Sequence, residues 1–121
     1  MEQTIGWASD YIPPRRERRP EPRLRVLYPA IIAYDWGRTI LDCTIRDIAE
    51  GGARIAFARN SRFPGTFHLI HVRGRVAYDA RVIWSSDCQA GVAFNSVLPL
   101  GDGVEPSHEF LTRLWMDQVV R

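Results

Sequence analysis

The sequence predicts an all-β domain, an antiparallel barrel or sandwich of six short strands followed by one C-terminal α-helix. Short apolar, β-branched runs recur between Leu24 and Phe94. Turn residues separate those runs at hairpin intervals, which favours antiparallel neighbours. Beyond Pro106 the apolar spacing lengthens from that of a strand to that of a helix.

Taken in order, residues 24–34 are apolar and β-branched, with Pro29 implying a sheet edge or a bulge. Asp35, Trp36 and Gly37 then supply turn chemistry. Residues 38–47 alternate, with Thr39, Leu41, Cys43 and Ile45 on one face and Arg38, Asp42, Thr44 and Arg46 on the other. Segment 47–52 reads as the next turn, where Gly51 and Gly52 permit positive φ. Ala53, Ile55 and Phe57 resume an inward face, and 59–65 is a loop. Strands over 66–72 and 76–84 meet at Arg73 and Gly74. The second has an inward set of Val76, Tyr78, Ala80, Val82 and Trp84. Residues 85–89 turn again, and 90–94 form a short last strand. Pro106 and Ser107 open a helix over about 106–119, in which Phe110, Leu111, Leu114, Trp115 and Val119 share the face that packs on the strands.

A chain of 121 residues with 45% apolar content accommodates one domain with a real core. The expected layout is a tail over 1–14, carrying Trp7 and Tyr11, and a domain over 15–121. Within that domain an arm over 15–23 leads into a barrel over 24–95. No apolar run approaches the length of a membrane-spanning helix, and no basic segment followed by an apolar run marks a secretory signal. A cytoplasmic protein without membrane insertion is the expectation. Cys43 and Cys88 lack close spacing and read as reduced, buried thiols.

Charge is distributed unevenly. Residues 15–25 hold six arginines against two glutamates, a local charge of +4. The other 110 residues carry ten arginines against twelve acids, a net −2. Pro20 and Pro22 disfavour helix for themselves and for the residues before them, so a flexible, extended arm is expected. In a polyproline-type path Arg19 and Arg23 stand about 12 Å apart, a span suited to two ends of one small anion. Arginine also takes phosphates and guanine edges through paired hydrogen bonds.

Other chemistries find less support. His68 and His71 lie three apart in a strand and point to opposite faces, and no ligand partners stand at finger-type spacing from the cysteines, so no metal site is expected. No glycine-flanked serine, phosphate-cradling loop or Cys/His signature suggests catalysis, and the chain does not read as an enzyme. A basic arm on a small barrel is compatible with nucleic-acid binding, but the strand faces lack the aromatic-and-basic pattern that stacks bases, so no DNA or RNA partner is expected. A carboxylate at Asp47, beside a glycine turn, can accept from the N1–H and amino group of a guanine; equally it can bond its own turn.

Arg19-Pro-Glu-Pro-Arg23 fits R-x-x-x-R just before a strand, and Asp47-Ile-Ala-Glu-Gly-Gly52 fits D-x-[S/A]-x-x-G between the second and third strands. Val82-Ile-Trp84 followed by Gly91-Val-Ala-Phe94 matches a closing strand pair. Over roughly residues 15–118 these features resemble a PilZ domain, a bacterial receptor for the second messenger cyclic di-GMP. The resemblance implies a six-stranded antiparallel barrel with a C-terminal helix. It further implies that cyclic di-GMP is the ligand, that no cofactor is needed, and that a protein partner of unknown identity reads the bound state.

Carried over to this sequence, Arg19 and Arg23 would contact phosphates and guanine rings. Arg18 would replace Arg19 if the register slips by one. Asp47 would hold a guanine edge, Gly52 would allow close backbone approach, and Trp84 would lie near a guanine or else in the core. Ala49 stands where the family's usual serine would be. Some family members dock proteins without binding the nucleotide, and Ala49 keeps that adaptor reading open.

Overall fold

The computed structural model describes residues 23–101 and 104–119. The tail with Trp7 and Tyr11, and Arg18 and Arg19 of the arm, lie outside the described residues. Six strands, β1 Leu24–Tyr34, β2 Thr39–Ala49, β3 Gly52–Phe57, β4 Thr66–His71, β5 Val76–Ser85 and β6 Gln89–Pro99, precede a 3₁₀ turn at Pro106–His108 and helix α1 at Glu109–Val119. All strand pairings are antiparallel, and the strands close into a barrel in the order β1-β2-β3-β6-β5-β4. The choice between barrel and sandwich is decided by β1, whose residues Ala30 to Ala33 pair with His71 to His68 of β4.

Four local features differ from expectation. The second strand runs on through Asp47 to Ala49, and Ala49 pairs with Gly52, so Asp47 sits in a ladder rather than a turn. Neither Gly51 nor Gly52 has positive φ; among the described glycines Gly37 and Gly101 do. The last strand extends from 94 to Pro99 because Ser96 to Pro99 pair back to Asp79 to Val76, past an irregularity at Asn95. The helix proper begins at Glu109, and its Val119 is exposed while Phe110, Leu111, Leu114 and Trp115 pack inward.

Side chains alternate along a strand, so a barrel strand offers one face to the interior and one outward. Ala30, Ile32, Cys43, Ile45, Ala53, Ile55, Phe67, Leu69, Ala80, Ala90 and Val92 fill the interior. A second cluster, Ile31, Ala33, Ile70, Ala77, Leu100 and Leu111, lies between the outer faces of β1, β4 and β5 and helix α1. The four consecutive buried residues Ala30 to Ala33 thus divide between the two cores. The helix is pinned by the Trp115 indole N–H, which donates to the Val72 carbonyl at 2.7 Å, and by the Gly101 N–H, which donates to Thr112 Oγ1 at 3.2 Å. The hairpin turn of Asp35, Trp36 and Gly37 reaches the same helix, Trp36 meeting Phe110 edge-on at 6.0 Å.

His71 seals the β4 end of the interior. It stacks on Tyr28 at 4.6 Å, and its Nδ1 accepts the Gly74 N–H at 3.2 Å, which only an unprotonated Nδ1 can do. Burial, and then the nearby Arg73, lower its pKa below the usual 6.5. The unfolded chain therefore binds a proton that the folded chain refuses, and stability must fall as pH drops from about 6.5 toward the lowered folded value. His68 is shifted the same way, chiefly by burial. Urea denaturation at stepped pH should show this loss, and His71→Gln should flatten it. Leu111→Ala should cost about 2–5 kcal/mol by emptying the second core while leaving the barrel interior untouched.

Candidate functional site

One row of residues crosses the outer face of the barrel on the side away from α1. The register reads Arg25 opposite Asp47, Asp47 opposite Arg54, Arg54 opposite Gly91, and Gly91 opposite Trp84. With strands about 4.8 Å apart, the three steps from Asp47 to Trp84 span about 14 Å. A parallel row runs beside it, from Ala49 through Gly52 and Ala93 to Arg81. Ala49, Gly52 and Ala93 form a floor almost without side chains, between the carboxylate at one end and the indole over Gly91 at the other.

Two bulges aim this row outward. Simple alternation would leave Asp47 on the face of Cys43 and Ile45, inside the barrel. An extra residue at Arg46, between the Ile45–Ile55 and Asp47–Arg54 pairs, reverses the phase and turns Asp47 out beside Arg54. Ile83 does the same in β5: Val82 packs on the barrel core, whereas Trp84 pairs with Gly91 on the outer face. The expected inward position of Trp84 is thus corrected, and the indole lies directly over Gly91. A Cβ added at Gly91 would collide with the indole nitrogen, so only glycine leaves room for it there.

Asp47 is only 6% exposed although it points out of the barrel. A buried carboxylate requires partners. Arg54 Nε donates to Asp47 Oδ2 at 2.5 Å, and Arg23 Nη2 lies 4.0 Å from Oδ1. Arg54 Nη1 in turn donates to Gln89 Oε1 at 3.3 Å. Two guanidinium groups thus flank one carboxylate, and Arg25 stands across the ladder from it, leaving a local excess of basic residues at the start of β1.

Of the residues singled out from sequence, Arg23, Asp47, Ala49, Gly52 and Trp84 share this outer face, and Arg18 and Arg19 lie outside the described residues. Sequence reasoning missed Arg54, Gln89 and Gly91. Gly91 inside a strand was a readable sign of close approach. Arg54, two residues beyond Gly52, was legible only once the hairpin register was known. His68 and His71 occupy opposite faces: His68 meets Phe110 of the helix at 5.8 Å, while His71 stacks on Tyr28. Among the described residues no cluster of three His, Cys, Asp or Glu could hold a metal ion. Both thiols are free; burial, with Asp42 beside it, pushes the Cys43 thiol up to about 12, and Cys88 is only half-buried. A cleft of about 250 Å³ between Trp36, His68, Asp79 and Phe110 contains none of the motif residues.

The packing of Trp84 on Gly91 generates a test. Gly91→Ala should displace the indole, red-shift its emission and cost about 1–3 kcal/mol. In a Trp84→Ala background the same change should cost much less, which a double-mutant cycle by chemical denaturation would register.

No curated protein sequence matches the chain significantly. A family model described as the PilZ domain matches residues 17–104, from the arm through the whole barrel. The motif segments, the closed six-stranded barrel and the terminal helix agree with that match, and the chain belongs to the PilZ domain family.

Proposed function

We propose that this protein is a non-enzymatic cyclic di-GMP receptor of bacterial second-messenger signalling that binds its ligand on the bare outer floor between Asp47 and Trp84. Family membership supports a receptor or adaptor role. The observation that carries the finer reading is the Asp47 carboxylate, 6% exposed and flanked by Arg23 and Arg54, with Arg25 across the ladder, at the edge of a floor of Ala49, Gly52 and Ala93. Such a place suits a dianion bearing guanines. Arg19 and Arg23, with Arg18 as a neighbour, take the phosphates and the outer ring edges. Asp47 accepts from guanine N1–H and the amino group, Gly52 lets the base approach the backbone, and Trp84 offers a ring for stacking. The basic arm then folds over the ligand, and the new surface of arm and barrel is read by a protein partner in the cytoplasm.

Ala49 favours a second reading. It faces outward beside Asp47 and contributes no hydroxyl. One lost neutral hydrogen bond costs about 0.5–1.5 kcal/mol, roughly a factor of two to twelve in affinity. The charge-assisted contacts of the arginines outweigh that loss. A chain in which they do not would be a protein-docking adaptor that ignores the nucleotide.

Isothermal titration of cyclic di-GMP into the full chain at physiological salt separates the two. Micromolar or tighter binding, lost in the Arg19→Ala/Arg23→Ala double variant and not reproduced by linear GMP, is the expected outcome. Absence of heat at hundreds of micromolar would replace the receptor with the adaptor.

A further inference from the structure

Asp47 reads only part of a guanine. The Watson–Crick edge presents an acceptor at O6, then donors at N1 and at the exocyclic amino group. A carboxylate offers two acceptors and can satisfy the two donors; O6 then requires a donor beside Oδ2. Arg54 stands there. Its Nε–H already donates to Oδ2 at 2.5 Å, and the neighbouring Nη2 N–H of the guanidinium fork points the same way. Nη1 is engaged by Gln89 Oε1 at 3.3 Å, which fixes the plane of the group. On its far side the cross-strand neighbour is Gly91, which has no side chain of its own and carries the Trp84 indole over it.

We propose that Arg54 is a specificity-determining residue for the ligand proposed above, donating to guanine O6 while Asp47 accepts from N1–H and the amino group. The inference rests on the cyclic di-GMP reading. Joined through Nε and Oδ2, the two side chains present donor, acceptor, acceptor in sequence, the complement of the guanine edge. Adenine inverts the first two positions: its N6 amino group would face the Arg54 N–H, and its unprotonated N1 would face the carboxylate. Hypoxanthine keeps O6 and N1–H and lacks only the amino group, so it should retain its dependence on Arg54. The Asp47–Arg54 ladder pair holds both groups on adjacent rigid strands, which is what base discrimination needs.

The test is a matrix of titrations. Cyclic di-GMP, cyclic di-IMP and cyclic di-AMP are each titrated into the wild-type chain, Arg54→Met and Arg54→Lys, with folding checked by circular dichroism. Arg54→Met should weaken cyclic di-GMP and cyclic di-IMP by about tenfold, and cyclic di-AMP far less, collapsing the guanine-over-adenine preference. Arg54→Lys keeps the charge but loses the planar fork. It should lose the same preference with a smaller drop in overall affinity, and it serves if the Met variant fails to fold. Equal weakening of all three ligands would reduce Arg54 to a charge and overturn the assignment, as would an unchanged preference. A wild-type chain that binds none of the three would overturn the receptor reading itself, and the assignment with it.

Discussion

The second half of strand β1, Ala30 to Ala33, buries both of its faces, and the rest of the molecule depends on that. Ala30 and Ile32 enter the barrel interior, and Ile31 and Ala33 meet the helix. The same residues pair with β2 on one side and β4 on the other, closing the sheet. Closure leaves no sheet edge among these strands, which removes the usual route to edge-to-edge association. It also settles the position of α1, because the outer face of β1, β4 and β5 offers apolar residues for Leu111 and its neighbours to cover. The opposite side of the barrel stays uncovered by the helix, and that is where the charged row lies.

The uncovered side gains its character from bulges and small residues. A strand with unbroken alternation would hide Asp47 and Trp84 among aliphatic neighbours, and a buried unpaired carboxylate there would be intolerable. Each bulge inserts one residue and reverses the phase of the strand beyond it. Ile45 and Val82 therefore stay in the interior, while Asp47 and Trp84, two positions further on, turn outward. Glycine at 91 then lets the indole lie against the sheet instead of standing off it.

Electrostatics complete the site. Arg54 keeps Asp47 paired while it is nearly covered, and Gln89 holds Arg54 in turn. Two guanidinium groups flank a single acid at the start of β1, whereas the body of the chain beyond residues 15–25 is slightly acidic. The positive charge is thus concentrated near the start of β1 rather than spread over the protein.

The number of strands and their places along the chain, the hairpin turn at Asp35 to Gly37, the terminal helix and the division of charge between arm and body were all legible in the sequence. They depend on neighbours a few residues apart: alternation, turn chemistry, helical spacing and prolines. The motif residues were legible too, through their spacing. Closure of the barrel was decided by Ala30 to Ala33 meeting His68 to His71, a pairing between distant segments that no local pattern encodes. The outward placement of Asp47 and Trp84 was likewise tertiary. A bulge carries no mark in the sequence, because its phase is chosen by which side chains the two cores accept, Ile45 with Ile55 and Val82 with Val92. Arg54 came into view last and for the same reason: its meaning lies in the strand beside it, where register places it against Asp47.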